Sequence, residues 1–180
     1  GARILMLGSF PPKQEKWSME FFYPNFINDM WRIMGLIFFN DKDHFIAEDE
    51  TGRKLKRFDR DRCAAFAAEK GIAMYDTACE VRRLKDNASD KFLEVVTPTD
   101  LTGLLERIPS CKAIVTTGQK ATDVIIETFG CEEPAVGECT DFQTGDRPMR
   151  LWRMPSSSRA YPLSLEKKAE FYRKLFKSEI

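Results

Sequence analysis

Several stretches of this chain carry side chains able to act on a ligand. Ser156, Ser157 and Ser158 follow an apolar run that ends at Met154-Pro155, and Arg159, Ala160 and Tyr161 come next. Three consecutive serines offer hydroxyls and backbone amides in one turn, which suits a phosphate; a polar turn between a strand and a helix uses the same residues. Gly8-Ser9-Phe10-Pro11-Pro12 closes the first apolar run. It has neither a GxGxxG pattern nor a P-loop lysine, and its prolines have no amide to donate. A rigid loop of this kind still presents one or two amides to a flat ligand. Phe21, Phe22 and Tyr23 offer ring faces for stacking on a base, although Phe21 and Phe22 also suit a core. Asp29 is a candidate general base and, alternatively, an exposed helix-start carboxylate. Asp76 ends a second apolar run, where it would fix a water or orient a loop, with Glu80 four residues on; a structural hydrogen bond would also account for either.

Basic residues fall in three places. Lys120 lies at the start of a helical pattern, where charge and a helix N-terminus suit a phosphate. Arg82, Arg83 and Lys85 sit beside Asp86 and Asp90, as a solvated face or a backbone-contacting run of a nucleic-acid binder. Arg147, Arg150, Arg153 and Arg159 surround the serine turn with Trp152 among them, the best local basic patch with an interleaved aromatic.

The elements that must position these groups alternate in type. Ile4–Leu7, Gly71–Asp76, Cys111–Thr117 and Arg150–Met154 read as strands. Phe26–Phe39 has a helical apolar period, with Asn25 or Asn28 near its start as a cap. Phe58–Lys70 reads as a helix closed by Gly71, and Thr99 as the cap of a helix through Arg107, ended by Pro109. Gly118-Gln119-Lys120 opens a helix to about Phe129, and Ser164 caps a last helix, Leu165–Phe176. The prediction is an α/β chain, three-layer α/β/α, around a central, mainly parallel four-stranded sheet. In such sheets ligands bind beyond the carboxyl ends of the strands. Those ends are the Gly8 loop, Asp76-Thr77, Thr117-Gly118 and the serine turn, so one cleft is expected. Residues 40–57 are polar and charged, with Gly52 inside, and read as a surface insertion or lid. The 180 residues are expected to form a single domain.

Composition bounds the function. Hydrophobic residues make up 43%, which excludes disorder as the overall state. No apolar run is long enough for a membrane span, so no membrane association is expected. The start of the chain lacks the basic head, long apolar stretch and cleavage site of a secretory signal, so a cytoplasmic location is expected. Lys plus Arg is 28 and Asp plus Glu is 28, a balance that argues against a basic coat but leaves room for a local basic groove. The five cysteines are scattered without CxxC, so no metal site is readable and reduced thiols are expected.

The motifs, taken in order, resemble the uracil-DNA glycosylase superfamily. Ile4-Leu5-Met6-Leu7-Gly8-Ser9-Phe10-Pro11, Phe22-Tyr23 and Asn28-Asp29-Met30-Trp31-Arg32-Ile33-Met34-Gly35 are similar to its first motif region. The resemblance is closest to the branch containing hypoxanthine-DNA glycosylases, with mismatch-specific uracil glycosylases nearby. That branch reads GSMPG, YYAHP and NxFWxIMG. Gly71–Asp76 is similar to its GIALWD, Pro98-Thr99-Asp100 to PND, Thr117–Ala121 to NGKKA, and Met154–Ser158 to LPSTS. The matches cover nearly the whole chain outside 40–57.

The resemblance implies an enzyme that flips a deaminated base (uracil, hypoxanthine or xanthine) out of double-stranded DNA. It would hydrolyse the N-glycosidic bond as the first step of base-excision repair, as a monomer and with no cofactor or metal. It assigns the water-positioning role to Asn28 and stacking on the flipped base to Tyr23. Gly8, Ser9 and Phe10 would form the loop beside the base, and Thr117 would read its edge. Ser156, Ser157 and Ser158 would grip the flanking phosphate, and Arg159, Ala160 and Tyr161 would enter the duplex. Four positions depart from the wider superfamily. Phe10 stands where other branches carry a catalytic Asp or Asn, and Ser156 where classical uracil enzymes carry a His. Thr117 replaces a base-reading Asn, and Pro12 replaces a Gly. Ala160 is too small to fill a vacated stack, which turns attention to Arg159 or Tyr161 as the wedge. The one histidine, His44, matches no motif and is expected at the surface. These departures tell against strong action on uracil and keep open a different class of function: a nucleic-acid or nucleotide binding module that kept the fold without the chemistry. A small-molecule enzyme acting on a nucleoside is a third reading.

Overall fold

The computed structural model describes residues 1–9, 13–83 and 93–180, and for residues 79–83 and 93–96 the backbone alone. Phe10, Pro11 and Pro12, and the stretch with Lys85, Asp86 and Asp90, lie outside the described residues. In chain order the elements are β1 (Ile4–Gly8), α1 (Met30–Phe39), β2 (Ile46–Glu48), β3 (Lys54–Phe58), α2 (Arg60–Lys70), β4 (Ile72–Asp76), β5 (Ala78–Arg83) and β6 (Leu93–Pro98). They continue with α3 (Leu101–Glu106), β7 (Ala113–Thr117), α4 (Gln119–Phe129), β8 (Cys139–Thr144), β9 (Arg147–Met154) and α5 (Leu165–Glu179).

Five strands form the central sheet in the order β4-β1-β7-β9-β8. The first four run parallel, and β8 pairs antiparallel with β9 at the edge. The four parallel strands are those expected from the apolar runs. β1 and β7 are buried along their whole length, the signature of central parallel strands covered on both faces. The expected sheet lacked β8. That strand buries only Phe142 fully, so it has too little apolar alternation to stand out.

Alternation along the strands sorts the interior into two cores. Ile4, Met6, Ile72, Met74, Ala113, Val115, Trp152 and Met154 face one way, against α1, α2 and α5. Leu5, Leu7, Ile114 and Leu151 face the other way, against α3, α4 and Phe142. This is the three-layer α/β/α arrangement. The chain goes from β1 to β4 on one side and then crosses to β7 on the other, so the strand order switches direction around β1. The carboxyl ends of β1 and β7 flank that switch, where open parallel sheets place their ligands.

Local chemistry explains the helix boundaries. Gly71 closes α2 in the left-handed region, φ 69°, and turns the chain into β4. Ser164 caps α5 by accepting from the Lys167 amide. α3 is capped by Asp100, not Thr99: the Asp100 carboxylate accepts from the Gly103 amide at 3.1 Å. The Thr99 hydroxyl instead donates to the Asp76 carbonyl at 2.6 Å. α1 starts at Met30, later than the apolar period suggested. Residues 40–57 contain the β2–β3 hairpin. Phe45, Ile46 and Phe58 are buried in the α1-side core, while the turn at Asp49–Arg53 is exposed. His44 is half-buried and its ring stacks on Phe39, centroids 3.6 Å apart. β5 and β6 form a separate two-stranded ribbon after β4.

Candidate functional site

Gly8 ends β1 in register with Asp76 at the end of β4. Both, with Thr117 at the end of β7, continue the alternation that faces α1 and α5. A Cβ placed on Gly8 would lie 3.5 Å from Asp76 Oδ1, 3.7 Å from Thr117 Oγ1 and 3.8 Å from the Tyr23 hydroxyl. Three side chains from three segments thus converge on a residue that has none of its own. Thr116, one position earlier, faces the other way and hydrogen-bonds Thr122 at 2.8 Å.

Tyr23 reaches this point from the segment before α1. Its backbone is left-handed, φ 53°, a conformation costing a non-glycine residue about 1 kcal/mol. Neighbours hold it there: the Trp31 indole donates to the Phe22 carbonyl at 2.9 Å, and the Ser18 hydroxyl donates to the Pro24 carbonyl at 2.7 Å. Phe21 and Phe22 pack against the core. The Tyr23 hydroxyl stands 3.4 Å from Thr117 Oγ1, at the long end of a hydrogen bond. Burial pushes its titration far above the usual phenol range. Ser9 is buried beyond Gly8, and its carbonyl is approached by the Thr77 hydroxyl at 3.5 Å.

The serine turn adjoins the same end of the sheet. The Gly118 amide donates to the Met154 carbonyl at 3.3 Å, and Tyr172 donates to the Pro155 carbonyl at 2.7 Å. From there the turn reaches the start of α1: Asn28 and Ser158 pair as a short antiparallel bridge, and the Asp29 amide donates to the Ser157 carbonyl at 2.8 Å. Two residues 130 positions apart in sequence are therefore backbone neighbours.

Asn28 Oδ1 accepts from the Met30 amide at 2.9 Å, which fixes the orientation of its side-chain amide and caps α1. A carbonyl oxygen carries a second lone pair, so Oδ1 retains an accepting position, and the NH2 end has its two donors. Within the serine turn, Ser156 Oγ accepts from the Ser158 amide and Ser158 Oγ from the Ala160 amide, at 3.2 and 3.3 Å. Those amides are engaged within the turn, which leaves the hydroxyl protons to face a ligand. Ser157 is buried, whereas Ser158 is exposed and Ser156 half-buried.

Three expectations need correction. Asp29 is not an exposed carboxylate: it is 6% exposed, with Oδ1 on the Arg159 guanidinium at 3.1 Å and Oδ2 on Lys168 Nζ at 3.2 Å. Both oxygens are held by cations, so it is no free base. Arg159 is consequently tethered rather than a free wedge. Tyr161 is half-buried behind it, its amide bonded to the Ser158 carbonyl. The arginines of β9 form no patch around the turn. Arg147 begins that strand, about 23 Å from Met154 at the usual rise per residue, and donates to the Leu105, Ile108 and Cys111 carbonyls. Arg150 pairs with Asp141 and Glu179, and Arg153 with Glu133.

Lys120 is the second residue of α4, half-buried, just past Gly118. Arg82, Arg83 and Glu80 lie on β5, where only the backbone is described. Two residues escaped the sequence reading. Lys168, fully buried, donates to both Asp29 and the Ser158 carbonyl. Ile27 is 56% exposed at the tip of the Asn25–Asn28 turn, beside the bridge. The i, i+3, i+4 pattern of α5 places Lys168 beside Ala169 and Tyr172 on the core side, a signal that was available.

Open hollows lie elsewhere. One of about 330 Å³ is bordered by Glu48, Arg57 and Asp61, and another of about 610 Å³ by Asp141, Arg150 and Glu179. Among the described residues no group of three or more His, Cys, Asp or Glu side chains gathers as a metal site. No helix among them is long and apolar enough to cross a membrane.

No protein-family model matches this chain, and no curated protein does. A solved structure is similar to it: the solution NMR structure of a "putative Uracil DNA glycosylase" from Methanosarcina acetivorans. The likeness has a TM-score of 0.59 and covers 98% of this chain and 91% of that one, at 22% identity. At that identity the two share a fold. The α/β/α plan is thus that of a structure bearing a glycosylase's name.

Proposed function

We propose that this chain is a DNA glycosylase of the uracil-DNA glycosylase superfamily. It would remove a deaminated base, uracil, hypoxanthine or xanthine, from duplex DNA by hydrolysis of the N-glycosidic bond, as a monomer in cytoplasmic base-excision repair. The observation that carries the reading is the Asn28–Ser158 bridge. It joins the segment before α1 to the serine turn at the end of the sheet where Gly8, Tyr23 and Thr117 converge. Its place in the hypoxanthine branch rests on the motif resemblance alone.

In this reading the damaged base leaves the stack at a cost of a few kcal/mol, lowest at a mismatch. Tyr23 turns from its long contact with Thr117 and stacks on the base. Gly8 and Ser9 supply the wall beside it, a role the resemblance also gives to Phe10, and the Thr117 hydroxyl makes one hydrogen bond to its edge. Asn28 holds the water that attacks the anomeric carbon. An amide is a poor base, so stabilisation of the oxocarbenium-like sugar supplies most of the acceleration. The hydroxyls of Ser156 and Ser158, with Lys120, contact the flanking phosphates, and buried Ser157 shapes the turn. Arg159 and Tyr161 border the duplex. Neither a metal nor an organic cofactor takes part in these steps.

The test is cleavage of duplexes carrying each deaminated base, followed on gels, by the wild-type chain and Asn28→Ala. Cleavage of at least one lesion, reduced about a hundredfold in the variant, supports the reading. No cleavage of any lesion by the wild type overturns it.

A second reading has its own observation. The Tyr23 hydroxyl stands against Thr117 at the sheet end, and two open hollows border other elements. A nucleic-acid or nucleotide binding module would show salt-dependent binding of DNA without an abasic product.

A further inference from the structure

Asp76 has no task in the mechanism above, and its surroundings are unusual for a carboxylate. It ends β4 in register with Gly8, and its Oδ1 comes within 3.5 Å of where a Gly8 side chain would begin. Among the described residues the facing groups are neutral: the Tyr23 phenol from the segment before α1, the Thr117 hydroxyl from β7 and the Gly8 backbone from β1. On its own strand end, Thr77 turns its hydroxyl to the Ser9 carbonyl, and Thr99 fixes the Asp76 carbonyl. Among the described residues none hydrogen-bonds the carboxyl and no cation pairs with it. Burial alone pushes its titration up to about 7. An acid poised there suits proton transfer at neutral pH.

Among the described residues, the other groups at this end are unsuited to the task. Both Asp29 oxygens are held by Lys168 and Arg159. The Tyr23 phenol keeps its proton far above neutrality. The Asn28 amide does not titrate, and His44 lies against Phe39 in the hairpin region.

Resting on the glycosylase reading, we propose that Asp76 is the general acid of the site. Position decides acid over base. Asn28 and the serine turn hold the water and phosphate side, while Asp76 stands with Gly8, Tyr23 and Thr117 on the base side. As the C1′–N bond breaks, its electron pair passes to the base, and the Asp76 carboxyl gives its proton to an acceptor nitrogen or carbonyl oxygen of that base. Water forms the new C1′–O bond, and the proton it loses restores the carboxyl. The products are the free neutral base and an abasic sugar.

Single-turnover cleavage of a lesion duplex from about pH 5.5 to about pH 8.5 tests this, using wild type, Asp76→Asn and Asp76→Glu. The wild-type rate is expected to fall about tenfold per pH unit above neutrality. Asp76→Asn is expected to be slower by about a hundredfold at pH 6, with a flat profile. Asp76→Glu is expected to regain a sloping profile with a displaced midpoint, and it decides the matter alone if Asp76→Asn fails to fold. A wild-type rate that rises with pH, or variants that share the wild-type profile, overturns the assignment and leaves the glycosylase reading standing. A wild type that cleaves no lesion overturns both.

Discussion

Asp29 and Asp76 lie at the same end of one sheet, and their surroundings are opposite. Asp29 sits between a fully buried lysine and an arginine, each held within about 3 Å of one of its oxygens. Asp76 meets a glycine, a phenol and a hydroxyl, and among the described residues no cation pairs with it. A carboxylate enclosed by two cations is held in place and joins α1, the serine turn and α5. A carboxyl left beside neutral groups is held near the pH at which it can change form. The contrast separates what holds the site together from what is available for chemistry.

That contrast can be broken from either side. The largest effect is expected at the clamp. Asp29→Ala leaves the fully buried Lys168 without its counter-charge and should cost about 3–5 kcal/mol in urea unfolding; Lys168→Met leaves Asp29 to Arg159 alone and should cost less, and the double variant Asp29→Leu/Lys168→Met should recover most of the larger loss. If the single changes cost under ~1 kcal/mol, the cluster is no clamp. Asp76→Asn should act in the opposite direction. The folded carboxyl titrates near 7 and the unfolded one near about 4, so between these values the native state holds a proton that the unfolded chain has lost. Stability therefore falls as pH rises across this window. The variant should be more stable than wild type by about 2 kcal/mol at pH 8, roughly half the full linkage value because the carboxyl keeps contact with water, and nearly equal at pH 4. Thermal melts at the two pH values would show the divergence. A constant difference at both would remove Asp76 from the contrast.

Asn28→Ala loses the α1 cap and should lower stability by about 1 kcal/mol, independent of salt, as denaturant midpoints would report. A much larger loss in cleavage than this separates a role in chemistry from capping. The smallest effect is expected at Thr117→Val. The 3.4 Å contact with Tyr23 is long, so its loss should change stability by less than ~0.5 kcal/mol. A loss above 1 kcal/mol would mean that Tyr23 is locked in place rather than ready to turn.

The parallel strands were legible because each is a continuous apolar run halted by Gly, Pro, Ser or Asp, and their carboxyl ends gather where that pattern implies. The antiparallel pieces were not. β8 fully buries only Phe142, and the β2–β3 hairpin hides Phe45, Ile46 and Phe58 within a charged stretch. Long-range partners were the other blind spot. Asp29 reads as a helix-start carboxylate because the residues that bury it lie 130 and 139 positions away. The arginines of β9 looked like a patch because they are close in sequence, but an extended strand spreads them along its length. Asp76 was visible as a candidate, yet nothing in its immediate sequence tells that its neighbours are neutral.

The Lys168 tether has a bearing on how the protein is made. The chain reaches Asn28 and Tyr23 early in synthesis, yet Lys168, the buried one of the two cations on Asp29, emerges only with the last helix. A nascent chain halted before α5 has only Arg159 to meet the acid at the start of α1, and its serine turn lacks the Lys168 anchor. Completion of the C-terminal helix is thus the checkpoint at which the two halves of the candidate site become one.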